Sequence, residues 1–290
     1  MKTFLKAKLY PIGLALAPSL MFRVQHLRMH RRFGKHWYWA NLKQPRTFNE
    51  HLLRSKLGQE HHSLAYLVDK AKVKNWVGKR IGAQHIIPTL GVYEQPADVP
   101  INRLLRPCIL KPTHASGHVL VLKGGNGEPA SDEIQRELAG WQRINHYWVS
   151  GESQYRDIAP RIICEPLLGG GKGDLPDYKF FCFHGEPAFI QVDLSRHTRH
   201  VRRYYDVQWQ PQAFTLRYPM ATAEVPCPGP FDQMLDIARK LSAGFAFVRI
   251  DLYAVEGRIY FGELTFHPES GIAPFSDFRT DLELGKRFAQ

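Results

Sequence analysis

The 290 residues carry 39 Lys plus Arg against 27 Asp plus Glu, a formal net charge of +12, with 44% hydrophobic and 23% charged residues. This balance excludes a collagen-like, low-complexity or disordered chain and leaves room for about two domains. The positive surplus favours polyanionic partners: nucleic acid, a phosphate-rich cofactor, an acidic polysaccharide or an anionic membrane face.

At the N-terminus, Lys2, Lys6 and Lys8 precede the apolar run "LYPIGLALAPSLMF", in which Ala15-Leu16-Ala17 imitates a signal-peptidase site. Pro18 would follow that cut, and 14 residues containing Pro11, Gly13 and Pro18 are too few to span a bilayer. The pattern instead predicts a helix beginning near Pro18 and running through "SLMFRVQHLRMHRR". A second reading rests this basic, apolar segment peripherally on the inner face of the membrane. Arg31, Arg32, Trp37 and Trp39 lack any RNP or zinc-finger pattern, so no specific nucleic-acid partner is expected.

"TFNEHLLRSKL" opens with a capping-box pattern, Thr47 followed by Glu50. Apolar residues at helical spacing in "HSLAYLVDKAKVKNWVGKRIG" predict one helix ending at Gly82, followed by a short strand, "HIIPTLGVY". Residues 94–106 read as a Pro-rich loop. Strand-like runs then dominate, interrupted by helical stretches near 131–145 and 230–243, with Gly185 and Gly257 at hairpin turns. Hairpin-joined strands with helices between them predict an α+β fold, not a doubly wound parallel sheet. The four cysteines, Cys108, Cys164, Cys182 and Cys227, lack zinc or disulfide spacing, which fits a reducing, cytoplasmic compartment.

Chemistry concentrates in the strands. "CILKPTHASGHVLVLKGG" sets Lys111 at the end of an apolar strand, before a small polar loop from Thr113 to Gly117 whose N–H groups suit phosphate oxygens. It is not a Walker A sequence. "IICEPLLGGG" puts Glu165 between an apolar strand and a triple glycine, and "DYKFFCFHG" carries Lys179 within an aromatic strand. In "RIDLYAVEGRIYFGELTF", Asp251 and Glu263 face each other if opposed positions sum to 514 around a three-residue loop at 256–258. Arg249, Tyr253 and Thr265 then share their side; a two-residue loop would send the two acids to opposite faces. Paired carboxylates suit Mg²⁺, which takes one or two of them plus phosphate oxygens. The plainer alternative is that either acid pairs with Arg249 or Arg258. Residues 193–209 form a basic insertion, with Arg196, His197, Arg199, His200, Arg202 and Arg203, which is either a solvated loop or a gate for an anionic acceptor. His267 and Ser270 follow the hairpin and are further acceptor candidates.

In order, "TFNEHL", "DKAKVKNWV", "IIPTLGVY", "ILKPTHASG", "DYKFFCFHG" and "RIDLYAVEGRIYFGELTFHPESG" resemble the TupA-like ATP-grasp family, named for teichuronopeptide biosynthesis, over residues 20–285. The resemblance implies an ATP-grasp fold, with the nucleotide held between a small lid and a larger antiparallel sheet. It divides the chain into an N-terminal helical region (1–60), a pre-grasp helix and strand (61–106), the lid (107–163) and the large subdomain (164–290). It also implies ATP and Mg²⁺ as cofactors. Lys70 and Lys111 would contact the phosphates and adenine region, Ser116 and Gly117 would close over the triphosphate, and Glu165 would sit at the adenine and ribose hinge. Lys179 would approach the phosphates or adenine, Arg249 would stabilise acyl-phosphate oxygens, and Asp251 and Glu263 would hold the metal. Thr265 stands where that pattern has Asn, which leaves the third metal ligand open.

The implied activity is ligation of a carboxylate to an amine through an acyl phosphate, with an amino acid joined to a uronic acid or related acidic glycan in cell-surface polysaccharide synthesis. A sugar kinase on the same fold, and a non-catalytic polyanion-binding protein, are the alternatives.

Overall fold

The computed structural model describes residues 10–58, 63–125, 127–171, 175–194 and 200–289. Two antiparallel sheets carry the architecture. The smaller contains β1 (Gly91–Tyr93), β2 (Cys108–Pro112), β3 (Leu120–Leu122) and β4 (Ile162–Pro166), in the order β1-β4-β2-β3. The larger contains β5 (Asp177–Phe183), β6 (Glu186–Leu194), β7 (Val201–Tyr205), β8 (Phe247–Val255) and β9 (Arg258–Thr265), in the order β7-β6-β5-β8-β9. The α+β class predicted from hairpin-joined strands is the class observed.

Helices α1 (Pro18–Phe33) and α2 (Phe48–Leu57) form the N-terminal region, and residues 10–16 are also helical. Pro18 occupies the first turn of α1, where its missing N–H costs nothing. The capping box of α2 is complete: Thr47 Oγ1 accepts from the Glu50 N–H, and Glu50 Oε2 accepts from the Thr47 N–H, both at 3.1 Å. Glu50 also accepts the N–H groups of Asn41 and Arg46, so one carboxylate orders the incoming loop.

The single helix expected up to Gly82 is broken. A short turn at Ala65–Val68 is followed by α3 (Val73–Ile81), because Asp69 Oδ1 accepts the N–H groups of Ala71 and Lys72 and competes with the helical ladder. The strand expected over "HIIPTLGVY" shrinks to Gly91–Tyr93. α4 (Ser131–Gln142) and α5 (Phe231–Ser242) stand where the sequence predicted helices, and α6 (Phe278–Lys286) follows the last strand.

Each face of the larger sheet has its own character. Tyr178, Phe180, Ile190, Val192, Val248, Ile250 and Leu252 pack against α3 and α5 in the main core. The opposite face is aromatic at one end, where Phe181, Phe183, Phe189 and Phe247 meet Phe48 of α2 and Leu284 of α6. Alternation along the same strands makes its other end ionic, with Asp177, Lys179, Asp193, Arg249 and Asp251. The smaller sheet packs Cys108, Leu110, Ile162 and Cys164 against Ile134, Leu138 and Trp141 of α4. It draws β1 from the 61–106 segment and uses all of β4, which crosses the 163/164 boundary, so the sheet unit ends at Pro166 and not at residue 163.

The β8–β9 hairpin differs from expectation in its turn but not at the acids. The loop is the tight two-residue Glu256-Gly257, with φ of 51° and 76°, and Val255 pairs with Arg258. That register alone would have put the acids on opposite faces. A β-bulge at Gly262 adds one residue to β9, and Asp251 pairs with Glu263 after all. The core residues of β9, Ile259 and Phe261 before the bulge and Leu264 after it, record the shift.

Phe48 is 1% exposed and meets the rings of Phe181, Phe183, Phe247, Phe275 and Phe288. Phe48→Ala is expected to lower the urea unfolding free energy by about 3–5 kcal/mol with an unchanged m-value, since the surrounding rings cannot collapse fully into the cavity.

Candidate functional site

The ionic end of the larger sheet is a compact network around Asp251. Its side chain is 2% exposed, and both oxygens are engaged. Arg249 Nε donates to Oδ1 and Arg249 Nη2 to Oδ2, each at 2.7 Å, a bidentate fork, while Lys179 Nζ donates to Oδ2 at 2.8 Å. Lys179 also bonds Asp177, two residues earlier on β5, and lies 3.8 Å from Asp193 on β6. Burial opposes the ammonium charge of Lys179, but Asp177 and Asp251 outweigh it and raise its pKa. Burial likewise works against the Asp251 carboxylate, and Arg249 and Lys179 reverse it, holding its pKa below the ordinary value. The plainer pairing, Asp251 with Arg249, is therefore present in this structure.

Glu263 is the open member of the set. Its side chain is 38% exposed and touches Arg249 Nη2 at only 3.4 Å. Thr265 Oγ1 accepts from the same Nη2 at 3.0 Å.

A second network lies on the smaller sheet. Glu165 on β4 receives Lys111 from β2 at 2.9 Å and Lys74 from α3 at 2.5 Å. Lys74 also donates to the Ile87 carbonyl and to Thr89 Oγ1, both at 2.8 Å. Burial would raise the Glu165 pKa, but the two lysines pull it below its usual value.

Lys70 joins the networks. The break after Asp69 aims it at the loop beyond β2: its N–H donates to the Thr113 carbonyl at 3.2 Å, and Nζ donates to the Ala115 carbonyl at 2.6 Å. Asp69 is held by Arg161 at 2.8 Å, which fixes the break. Burial lowers the pKa of Lys70; Glu263 and Lys111 are its next strongest influences, followed by Glu165. One ammonium thus lies in the field of a carboxylate from each sheet. Ser116 and Gly117 are exposed at the tip of the loop, Gly117 with φ of 82° and open space where a Cβ would be.

The acceptor candidates fall elsewhere. Arg196, His197 and Arg199 lie outside the described residues. Arg202, read as part of an acceptor gate, is instead buried between Asp193, which accepts from Nε at 2.8 Å, and Glu269, which accepts from Nη2 at 2.6 Å. Arg203 turns to Met220 and Glu224. His267 is 2% exposed and bridges Ser55 at 3.0 Å and Gln154 at 3.1 Å, so it lies in the interior and not on an acceptor surface. Ser270 donates its hydroxyl to Glu152 at 2.8 Å. Burial works against ionised Glu152, but His267 and Lys56 hold its pKa down to about 2.

Three participants escaped the sequence reading. Asp177 was legible, because a strand places residues two apart on one face and Lys179 was already a candidate. Lys74 stands four residues after Lys70, but the helix break separates their directions. Asp193 needs the β5–β6 register, which pairs it with Asp177.

Among the described residues, no group of three or more His, Cys, Asp or Glu forms a metal cage. The donor chemistry nevertheless fits Mg²⁺ shared with phosphates: two carboxylates paired across β8 and β9, one of them open, with a hydroxyl beside them. Lys74 and Lys111 beside Glu165, and Lys179 and Arg249 beside Asp251, are the cations of the two networks.

A family model described as TupA-like ATPgrasp matches residues 50–289. No curated protein matches the chain. Among solved structures, the chain is similar to an L-amino acid ligase from Bacillus licheniformis, at 13% identity and a TM-score of 0.45, covering 90% of this chain and 58% of the other. It is also similar to the ATP-grasp ligase PsnB complexed with a minimal precursor, at 13% identity and a TM-score of 0.41, covering 77% and 60%. A third is the D-alanine–D-alanine ligase from Bacillus anthracis complexed with ATP, at 14% identity and a TM-score of 0.40, covering 69% and 54%. The chain thus spans 60% or less of the length of these proteins.

Two outcomes follow from the geometry. A Cβ at Gly262 would lie 3.0 Å from the Tyr253 ring and 3.1 Å from the Asp251 carbonyl oxygen. Gly262→Ala is therefore expected to cost about 1–3 kcal/mol in urea unfolding, as the bulge shifts to relieve the contact. Glu165, with its pKa depressed, adds stability above its ordinary pKa and loses it as pH falls through the lower, folded value. Glu165→Gln is expected to flatten the acid limb of the stability–pH curve below about pH 4.5, and an unchanged limb would refute the pairing.

Proposed function

The chain belongs to the TupA-like ATP-grasp family and has its fold, and from this premise we propose that it is an ATP-dependent carboxylate–amine ligase that forms an acyl phosphate. The observation that carries the proposal is the position of Lys70, which is anchored on the Ala115 carbonyl and lies within the influence of both Glu165 and Glu263. A cation in the field of carboxylates from two sheets supports a polyphosphate and its metal as the ligand.

In this reading Lys70, Lys74 and Lys111 bind the nucleotide, with Glu165 orienting the two lysines it pairs, and the Ser116–Gly117 loop covers the phosphates through its N–H groups. Asp251 and Glu263 hold Mg²⁺, with Thr265 as the third oxygen. Mg²⁺ held there would offset the negative charge that develops on the phosphates during transfer. Lys179 remains neutralised by Asp177 and Asp193, which leaves Arg249 to turn its fork to the oxygens of the transferring group. A substrate carboxylate oxygen attacks the γ-phosphorus, ADP departs, and an amine then displaces phosphate from the acyl carbon. No protein nucleophile takes part; the side chains position the reactants and compensate charge.

For the acceptor we propose an acidic glycan or uronic acid of cell-surface polysaccharide synthesis that takes up an amino acid in the cytoplasm, with Arg196 and Arg199 as its contacts. Among the described residues, no helix is long and apolar enough to cross a membrane.

Mass spectrometry after incubation with ATP, Mg²⁺, a sugar acid and an amino acid is expected to find ADP, phosphate and an amide. A stable phosphate ester would make the protein a kinase, and no ADP with any acceptor would remove the enzymatic reading. Asp251→Asn is expected to lower turnover at least 100-fold, with urea unfolding as the control for folding.

A further inference from the structure

The N-terminal region holds a surface that the nucleotide site does not use. Residues 1–49 contain ten Lys or Arg and no Asp or Glu. At the end of α1, Arg28, Arg31, Arg32 and Lys35 are all exposed. Among them stand Phe33, Trp37 and Trp39, which are 52%, 59% and 48% exposed. The Arg31 guanidinium lies 4.6 Å over the Trp37 ring and that of Arg32 4.9 Å over Phe33, so the cations and aromatics form one patch. The fold holds the patch open: Tyr38 is tied down by its hydroxyl to Asp281 and Thr47, at 2.8 Å each, while its two tryptophan neighbours stay outside. Nearer the N-terminus, Ile12, Leu16 and Leu20 recur every four residues and are exposed as well, Leu16 at 81%.

We propose that this region docks the protein on an anionic lipid bilayer, with Trp37, Trp39 and Phe33 in the headgroup layer and Arg28, Arg31, Arg32 and Lys35 against lipid phosphates. Charge complementarity selects the partner. A segment without a single carboxylate meets no repulsion at an anionic surface, and each cation there is worth about 1 kcal/mol, or about fivefold in binding. Tryptophan, amphipathic and rigid, settles at the boundary between headgroups and acyl chains. Basic and aromatic side chains also bind single-stranded nucleic acid, by charge and stacking. The exposed aliphatic side chains, Ile12, Leu16 and Leu20, have no use in that role, but they gain from burial in lipid. The inference is independent of the ligase reading, because none of these residues touches the nucleotide site.

Sedimentation of the full chain with vesicles tests it. Binding is expected to vesicles containing phosphatidylglycerol and to be at least tenfold weaker to pure phosphatidylcholine. Both Arg31→Glu/Arg32→Glu and Trp37→Ser/Trp39→Ser are expected to weaken binding about tenfold or more, with the thermal midpoint unchanged. For wild type, part of the binding should survive about 1 M salt, where the screening length falls to about 3 Å, because the apolar contacts are not screened. Equal binding to both vesicle types, complete loss at high salt, or unchanged binding by folded double variants would overturn the proposal. Single-stranded RNA that strips the protein from vesicles would overturn it in favour of nucleic acid.

Discussion

Compensation of one buried carboxylate organises the larger sheet. Asp251 is 2% exposed in the larger sheet, where a lone charge would cost several kcal/mol. Its fork from Arg249 and its bond from Lys179 remove that cost, and Lys179 in turn draws in Asp177 and Asp193. Three adjacent strands thereby become tied by ion pairs on one face and by aliphatic packing on the other. The chain keeps a charged network where a hydrophobic one would be at least as stable, and that is reason to look for chemistry there.

The smaller sheet repeats the arrangement: one carboxylate, Glu165, receives two lysines. Lys70 reaches the Ala115 carbonyl because Asp69 ends the preceding helical turn and Arg161 holds Asp69 in place. The basic surplus of the chain thus has two separate destinations. Part of it lies beside Glu165 and Asp251, as Lys74, Lys111, Lys179 and Arg249. Another part lies in the first 49 residues, which carry ten Lys or Arg and no Asp or Glu.

Much of this was legible in the sequence. The α2 capping box, the hairpin turns at Gly185 and Gly257 and the two later helices rest on local chemistry, and local chemistry survives folding. The pairing of Asp251 with Glu263 was also legible, although through a loop of the wrong length. Two deviations cancel, a turn one residue shorter and a bulge one residue longer, and the bulge showed only in the three-residue step from Phe261 to Leu264. What could not be read depends on long-range register. Asp193 joins Lys179 only through β5–β6 pairing. Arg202 and His267 carry the residue types of a binding site, yet Asp193 and Glu269, or Ser55 and Gln154, occupy them. The helix break at Asp69 was hidden because two bonds from its side chain to the backbone outweighed the apolar periodicity.

The proposed ligase requires that the ion pairs around Asp251 and Glu165 give way to a nucleotide with its metal. Calorimetric titration of the full chain with ATP, with and without Mg²⁺, addresses that most directly. It predicts binding of one ATP per chain that strengthens when Mg²⁺ is present. Absence of ATP binding, or binding indifferent to Mg²⁺, would contradict it.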